Sequence, residues 1–317
     1  MNNTCLYANF GIVFIVMTGY SSSKYAQSLS EFGKPVFLKG SNAWVLQRDI
    51  CNSGLKDATG CYPIFSLENW NMLAEDLRAK AESWITFSVV TDPFADFSEQ
   101  ELRSIFTDKC YSFKKHFVVD LQKDWQFYLD KNHKRNAKRA LKTLQINRIE
   151  QSEDYLDSWV GLYSNLVKKH KIRGIARFSK KSFKEQFQVP GFLSYKAVLD
   201  GQIVGMVLFY EAGNKVYYHL AAYTESGYKN NASFGIFFKA ISDFADLGKK
   251  WLNLGSGAGL KSTEDGLTRF KKGWATDTRT AYFCGKILDK EIYNKLSKGA
   301  NPDSGFFPLY RSNGGSE

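Results

Sequence analysis

The hydrophobic positions in the first half of the chain alternate between a helical and a strand spacing. Over Leu67–Lys80, apolar residues recur three and four positions apart with charged residues on the other side, which predicts an amphipathic helix. Ile85–Val90 follows as a buried strand and residues 98–106 as a second helix. His116–Leu121 predicts a further strand, followed by one or two helices over residues 124–144. Elements in this order predict an α/β fold.

The second half is organised around three predicted antiparallel strands, a helix and two later strands. Asp200-Gly201 and residues 212–214 are turn sequences that separate the three strands. Ser233 predicts the N-cap of the helix and Gly248 its stop. The predicted strands are Leu193–Leu199, Ile203–Tyr210, Lys215–Tyr223, Trp251–Gly255 and Thr280–Ile287.

Two other stretches bear on compartment and on loops. Gly11–Met17 is apolar but too short to span a bilayer, and no Lys or Arg precedes it, so it predicts a buried strand instead of a signal peptide. We therefore expect a cytoplasmic protein with no integral membrane segment. Residues 51–63 are interrupted by Gly, Asn and Asp and predict a loop or flap.

Length and composition predict a folded protein of two units, with one large α/β unit as the alternative. The chain has 317 residues, more than a typical single core, and its apolar content of 44% is ample for burial. A new helical pattern begins at Asp154 without a long linker before it. The predicted domains are residues 1–147 and residues 148–317, joined by a tight, packed junction.

The cysteines argue against two kinds of site. There are five, scattered along the chain, and none forms a CxxC pair. This pattern disfavours a disulfide framework and a metal site, and it favours a reducing compartment.

The net charge of +11 indicates an anionic partner, such as a nucleic acid, a phosphorylated metabolite or a membrane surface. The bias is strongest over residues 131–148, which hold seven Lys or Arg and no carboxylate. On a helix Arg135, Lys138, Arg139 and Lys142 share one face, and the opposite face holds Ala137, Ala140, Leu141 and Leu144. The face is either the solvated surface of a packed helix or a surface that binds phosphate or RNA. The candidate phosphate-binding residues are Lys134, Arg135, Lys138, Arg139 and, in a later loop, Arg173 and Arg177.

Three antiparallel strands, a helix, a strand and a final strand follow the order of the GNAT acyltransferase fold. The stretches YYHLAAY, NNASFGIFFKAISDFADLGKKWLNLG and GLTRFKKGW, between Tyr217 and Trp274, resemble the FemAB/FemX branch of that superfamily, the nonribosomal peptidyltransferases. HFVVDL followed by NHKRNAKRALK is similar to the strand and basic helix that close the first lobe of that branch. The resemblance implies two tandem GNAT-like lobes, each a mixed, mostly antiparallel sheet flanked by helices, with a cleft between them.

The resemblance also implies transfer of an acyl or aminoacyl group to an amine. Some members of the branch build peptidoglycan bridges from aminoacyl-tRNA, and others acylate nucleotide-linked amino sugars from acyl-CoA. The inserted helical arm of some FemA-like enzymes is absent from this sequence. That absence favours acyl-CoA as donor and a dTDP- or UDP-linked amino sugar as acceptor, in the biosynthesis of cell-envelope polysaccharide such as O-antigen or lipopolysaccharide.

Two alternatives stand beside this prediction. Within the enzyme class, the alternative is an aminoacyltransferase that builds a peptidoglycan bridge from charged tRNA. Outside it, the alternative is a non-catalytic protein that binds RNA or a membrane surface through the basic helix. No DNA partner is expected.

Acyl transfer to an amine requires a proton acceptor and a group that stabilises the oxyanion. In the family, the Lys after the motif Phe lies at the transfer site; this corresponds to Lys271, which would stabilise an oxyanion or hold a donor phosphate. His219 is the candidate base, because imidazole titrates near neutrality, and Tyr218 is a weaker candidate. A core histidine held by hydrogen bonds is the structural alternative. Strand alternation places His219 with Tyr217 on one face, and Tyr218 with Leu220 on the other.

The remaining candidates contact substrate or phosphate. Arg269 and Lys272 flank the motif, and Asn231 lies in the loop KNNAS, residues 229–233. This loop departs from the usual acetyl-CoA loop of GNAT enzymes, although its amides and the following helix N-terminus suit an anion. The glycine-rich loop of residues 255–259 fails the Walker A pattern and is either a lining of the cleft or a plain turn.

Overall fold

The computed structural model of the protein describes residues 17–51, 53–257 and 265–312. The strand predicted over Gly11–Met17 lies outside them except for Met17. Within the described ranges, no helix is long and apolar enough to cross a bilayer.

Many of the helices begin where the sequence supplies a capping side chain. Those in the described ranges are α1 Ser23–Ser28, α2 Trp70–Arg78, α3 Glu99–Ile105, α4 Trp125–Tyr128, α5 Lys131–Thr143, α6 Leu156–His170, α7 Lys180–Gln186, α8 Glu225–Lys229, α9 Ala232–Asp246, α10 Gly266–Lys272 and α11 Lys290–Leu296. Ser98 and Glu101 form a capping box on α3. The Asp130 carboxylate accepts from the first N–H groups of α5, and the Asp265 carboxylate accepts from the N–H of Thr268 in α10.

The strands form one continuous mixed sheet. They are β1 Lys34–Leu38, β2 Ala43–Asp49, β3 Lys56–Gly60, β4 Thr86–Val90, β5 Lys109–Asp120, β6 Gln145–Ile149, β7 Phe192–Leu199, β8 Gln202–Ala212, β9 Lys215–Tyr223, β10 Trp251–Gly255 and β11 Asp277–Ile287. Their order across the sheet is β1-β2-β3-β4-β11-β5-β10-β9-β8-β7-β6. The last strand, β11, therefore pairs with strands from the first half of the chain. The predicted α/β fold with mixed, mostly antiparallel pairing and flanking helices is confirmed.

The predicted boundary between residues 147 and 148 falls inside β6, which pairs with β7. The division of the chain into two domains stays a prediction. Most predicted helices and strands are present within a few residues of their expected ends. The helix expected to start after Ser233 starts after Asn231, which has a left-handed backbone at φ 58°.

The loop predicted over residues 51–63 is wrong, because it contains the strand β3. This strand pairs with β2 in antiparallel and with β4 in parallel orientation. Its Asp57 is buried, and both carboxylate oxygens accept from arginines: Oδ1 from Nε of Arg48 at 2.9 Å and Oδ2 from Nε of Arg311 at 2.6 Å. Arg48 on the paired strand and Arg311, which is distant in sequence, thus allow an acidic residue in a buried strand.

Three apolar clusters position the site. One lies around α2, α3 and β4 in the first half. A second packs α5, α9 and α10 on one face of the β7–β10 region of the sheet, and we call it the α9 face. The third packs α1, α6 and α7 on the opposite face of β8 and β9, and we call it the α6 face.

Candidate active site

The sheet opens between β9 and β10. These strands pair in parallel only from Trp251↔Lys215 to Asn253↔Tyr217. Beyond Tyr217, β9 continues to Tyr223 with β8 as its partner, whereas β10 stays with β5. A wedge-shaped gap therefore opens after Tyr217, and one edge of β9 faces it without a strand partner among the described residues.

Helix α10 brings Lys271 to this gap. The preceding Phe270 packs edge-on against Phe234 and Phe237 on the α9 face, which fixes the helix and turns Lys271 inward. Lys271 is 6% exposed. Its Nζ donates to the carbonyl of Ser256 at 2.6 Å and lies 5.2 Å from the ring centroid of Tyr218. Burial, reinforced by the nearby charge of Lys114, lowers the pKa of Lys271 to about 7.

Gly255 makes room for this ammonium group. It ends β10 with φ 74°, and a Cβ placed there would lie 3.2 Å from Nζ of Lys271. A side chain at this position would be strained by the backbone and would crowd the lysine. Of the glycine-rich loop that follows, only residues up to Gly257 are described.

A histidine that the sequence analysis did not single out lies at the closed end of the gap. Nδ1 of His116 in β5 is 3.1 Å from Oδ1 of Asn253 in β10. The same Oδ1 accepts from the backbone N–H of Gly255 at 2.8 Å, so His116 must donate from Nδ1. Nε2 of His116 then carries a lone pair. Burial, opposed by the Asn253 hydrogen bond and reinforced by the charges of Lys271 and Lys114, lowers the pKa of His116 to about 4, so the ring is neutral near pH 7.

His219 lies away from Lys271, on the α6 face. The register of β8 and β9 shifts so that Leu208 faces Leu220 and Phe209 faces Tyr218, which leaves His219 as the extra residue of a β-bulge. The bulge turns Leu220 to the face of Tyr217, contrary to the simple alternation expected from sequence.

Both ring nitrogens of His219 are engaged. Nε2 donates to Oε1 of Gln186 at 3.0 Å, and Nδ1 accepts from the hydroxyl of Tyr20 at 3.0 Å. Burial lowers the pKa of His219 to about 3. This environment is that of a hydrogen-bonded core histidine, and it leaves no ring nitrogen free to accept a proton from a substrate.

Tyr218, in contrast, shares the α9 face with Lys271. Its ring lies beneath the ammonium group and packs on Phe209 and Phe237. Burial raises the pKa of Tyr218 well above its usual value. The phenol is therefore neutral, and the ring faces a cation.

A polar cavity of about 280 Å³ lies on the α6 face beside the gap. Phe94 in its wall packs on Trp251, and Trp251 and Asn253 are two residues apart in β10, so they point to the same face. The Asp92 carboxylate at its base accepts from the Tyr217 hydroxyl at 2.7 Å and from the backbone N–H of Phe94 at 3.0 Å. The polar side chains of its lining are Thr18, Tyr20, Ser21, Ser66, Glu68, Asp92, Asp96, Lys215 and Tyr217.

Asp92 is buried and forms no salt bridge with any described residue. Burial raises the pKa of its carboxyl group, although the hydrogen bond from Tyr217 opposes this. A buried carboxylate that forms no salt bridge, at the base of a cavity lined by hydroxyl groups and Lys215, suits a ligand that carries several hydroxyls.

The predicted phosphate-binding residues do not gather at the gap. Lys134, Arg135, Lys138 and Arg139 are exposed on the side of α5 opposite its contact with α9, and Arg173, Arg177, Arg269 and Lys272 are also exposed. Asn231 is half-buried at the start of α9. Its side chain does not cap the helix, while its carbonyl accepts from the N–H groups of Phe234 and Gly235.

Two further observations concern metal ligands and thiols in the described ranges. No group of three or more His, Cys, Asp and Glu side chains in them is placed to hold a metal ion. The cysteines described, Cys51, Cys61, Cys110 and Cys284, are free thiols.

Part of the chain matches a known protein family. Residues 130–272 match the model of the acetyltransferase (GNAT) domain, which covers α5 to α10. No curated protein matches the chain significantly in sequence.

Three solved structures share the fold. A crystal structure of FemX has a TM-score of 0.65 at 13% identity and covers 87% of this chain and 93% of that one. The C-terminal domain of a protein designated a lysylphosphatidylglycerol synthetase, from Agrobacterium fabrum, has a TM-score of 0.60 at 13% identity, covering 86% and 91%. L-PGS from Bacillus licheniformis has a TM-score of 0.56 at 11% identity, covering 89% and 95%. At these identities the likeness shows the fold alone.

The domain match and the fold together support an acyltransferase of the GNAT type, transferring either an acyl or an aminoacyl group. The GNAT match implies acyl-CoA as a substrate of such an enzyme. The fold is shared with FemX and with the lysylphosphatidylglycerol synthetase domains.

Proposed function

We propose that the protein is an N-acyltransferase that transfers an acyl group from acyl-CoA to the amino group of a dTDP- or UDP-linked amino sugar, for cell-envelope or O-antigen polysaccharide. The observation that carries the proposal is a buried lysine and a neutral histidine beside the strand gap, near enough that, besides burial, the charge of Lys271 lowers the pKa of His116. Lys271 supplies a cation in a dry site, and His116 supplies a lone pair. These are the two groups that acyl transfer to an amine requires.

The reaction follows from these two groups. The neutral amine of the acceptor attacks the thioester carbonyl, and a C–N bond forms while the carbonyl oxygen becomes an oxyanion. The Lys271 ammonium group donates a hydrogen bond to that oxygen, and Nε2 of His116 accepts a proton from the amine. The C–S bond then breaks, and the thiolate leaves and takes up a proton, which gives an amide and free coenzyme A.

The binding of the two substrates is proposed from the shape of the gap. The open edge of β9 and the nearby N-terminus of α9 suit an extended acyl donor with anionic phosphates. The cavity at Asp92 suits the hydroxyls of the sugar acceptor, while its neutral amine is placed at the gap beside Nε2 of His116. The longest described helices, α6 and α9, have 15 residues, so the described ranges include no long helical arm, which favours a soluble acceptor.

The alternative function is that of an aminoacyltransferase, which uses a different donor and a different acceptor. The fold is shared with FemX, which favours transfer from charged tRNA to a muramyl peptide at least as well. Lys271 and His116 would have the same roles with an aminoacyl ester as with a thioester.

A mass-spectrometric assay separates the two. The protein would be incubated with a panel of dTDP- and UDP-amino sugars and acyl-CoAs, and in parallel with charged tRNA and UDP-muramyl peptide. We expect an amide product from at least one sugar and acyl-CoA pair, and at least about 100-fold less of it with Lys271→Met. No amide from any such pair, together with turnover of charged tRNA, would overturn the proposal.

A further inference from the structure

An exposed aromatic pair directly precedes the basic helix α5. Phe127 is 80% exposed and Tyr128 is 48% exposed. Their rings contact each other edge to face, with centroids 5.4 Å apart. Trp125 and Leu129 on either side of the pair are buried in the cluster of the α9 face. The core therefore anchors the turn α4, and Phe127 and Tyr128 point away from that core.

The cations of α5 point away from the same core. Ala137 and Ala140 of this helix belong to the cluster on the α9 face, and His133 packs on Phe270. Its outer side forms a shallow groove of about 460 Å³ lined by Lys131, Lys134, Arg135, Lys138, Arg139 and Lys142. None of the six forms a salt bridge with a described carboxylate. From Lys131 to Lys142 the row extends for about 17 Å along the helix.

Leu141 adds an apolar group to this surface. The helical spacing predicts that it lies on the packed side of the helix, opposite the cations, but it is 43% exposed. The nearest carboxylates along the chain, Asp124 and Asp130, accept from backbone N–H groups at the starts of α4 and α5. They cap the helices and leave the row of six cations without a counter-charge.

We propose that this surface, Phe127, Tyr128, Leu141 and the six cations of α5, docks on an anionic lipid bilayer. Each Lys or Arg close to such a bilayer is attracted by the negative surface potential. Exposed aromatic and aliphatic side chains beside the cations insert into the boundary between head groups and acyl chains. An RNA backbone would also attract the cations, but it offers nothing for an exposed Leu141, and the edge-to-face rings provide no parallel stacking platform.

Docking would hold the enzyme at a membrane through this surface. It does not depend on the proposed acyl transfer, because none of these side chains lies at the gap with Lys271. The surface thus bears on where the protein acts. A negative result in the vesicle experiment would leave the proposed acyl transfer unaffected.

The test is sedimentation of the full-length protein with vesicles of phosphatidylcholine alone or an equal mixture with phosphatidylglycerol. We expect binding only to the anionic vesicles, and about 30-fold weaker binding for Lys134→Glu/Lys138→Glu. The matched control is Lys34→Glu/Lys39→Glu, because both lysines are exposed on or beside β1, at the opposite edge of the sheet from β6. This control should retain most of the binding.

The aromatic residue gives the second, independent readout. Phe127→Ser should weaken binding to anionic vesicles by about tenfold, whereas Phe127→Trp should retain it and be quenched by brominated acyl chains. Equal losses of vesicle binding with both charge-reversal pairs would overturn the proposal. An affinity for anionic vesicles that is unchanged in Phe127→Ser would also overturn it. Tight binding of a mixed tRNA pool without any binding to vesicles would overturn it in favour of RNA. An unchanged melting temperature confirms that each variant is folded.

Discussion

His116 and Asn253 are 137 residues apart in the chain and meet through Nδ1 and Oδ1 at 3.1 Å. Their contact depends on the pairing of β5 with β10, and Gly255 supplies the second donor to the same oxygen. The contact fixes which nitrogen of His116 holds the proton. It therefore connects the backbone at the end of β10 with the only atom of His116 that can accept a proton from a substrate.

Replacing Asn253 with Asp should raise the pKa of His116. A carboxylate beside Nδ1 stabilises the imidazolium, whereas the neutral amide leaves the pKa near 4. We expect the ring of His116 to titrate nearer neutrality in Asn253→Asp and to be protonated at pH 6, which removes the proton acceptor. NMR titration of the His116 ring would measure the shift, and kcat should fall below pH 7 more steeply than in the unchanged protein. A ring that still titrates near pH 4 in the variant would contradict the assignment.

His116 also makes stability depend on pH. Its folded pKa is about 4, below the ordinary value of 6.5, so between these values the unfolded state binds more protons. Stability is therefore lost as the pH falls from about 6.5 to 4, by at most about 3 kcal/mol. Urea unfolding of the protein and of His116→Phe over this range would reveal the difference in slope.

Replacing Lys271 with Met should separate stability from activity. The folded state loses the Lys271 proton near pH 7 and the unfolded state near 10.5, so between these values the unfolded state binds more protons and stability rises with pH. Below pH 7 the buried charge destabilises the fold, and Met removes it at a similar volume. We expect Lys271→Met to melt at a higher temperature than the unchanged protein at pH 6, while its turnover is at least about 100-fold slower. A variant that melts lower at pH 6 would indicate that the ammonium group stabilises the fold.

The pH profile identifies the role of Lys271. If its ammonium group stabilises the oxyanion, the ratio of the rates of the unchanged protein and Lys271→Met is large below pH 7 and declines above it. The ratio cancels the titration of the substrate amine, which both proteins share. A ratio that instead rises through pH 7 would assign the role of proton acceptor to Lys271.

The local patterns predicted the elements better than they predicted the site. The apolar spacing of α2 and the turns around β8 depend only on residues that are close together in the sequence, so they can be predicted from it. Lys271 was found because it follows Phe270 in a recognisable motif. His116 was missed because its strand reads as an ordinary apolar run, and only the pairing with Asn253 distinguishes it.

Two departures from sequence expectation have physical causes. His219 was expected to alternate with its neighbours, but a bulge in β9 inserts it as an extra residue, and its ring is held by Tyr20 and Gln186. Strand β3 was expected to be a loop because Gly, Asn and Asp interrupt residues 51–63. One of the two arginines that balance the charge of Asp57, Arg311, lies near the other end of the chain.

The burial of Asp57 predicts a large effect on stability. Its carboxylate accepts hydrogen bonds from Arg48, Arg311 and the hydroxyl of Tyr310. Removal of the charge leaves both guanidinium groups without their anionic partner. We expect Asp57→Asn to lower the free energy of unfolding by about 3 kcal/mol. This value is at the low end for a buried ion pair because the arginines are partly exposed. Chemical denaturation would measure this. Asp49→Asn, on an exposed residue of the neighbouring strand, is the control and should change stability by less than about 0.5 kcal/mol.

The cavity at Asp92 should set the affinity for the amine acceptor. Asp92→Asn keeps the shape of the side chain but removes the charge that would accept hydrogen bonds from the hydroxyls of the acceptor, and Tyr217→Phe removes the hydroxyl that holds the carboxylate. We expect Asp92→Asn to raise KM for the acceptor by about tenfold or more and to leave KM for the acyl donor within about twofold. Tyr217→Phe should have a smaller effect in the same direction, because the backbone N–H of Phe94 still orients Asp92.

Steady-state kinetics with each substrate varied in turn would measure both KM values. Glu68→Gln, at the exposed rim of the same cavity, is the matched control. A rise in KM for the donor alone would move the donor to this cavity and the acceptor to the open edge of β9.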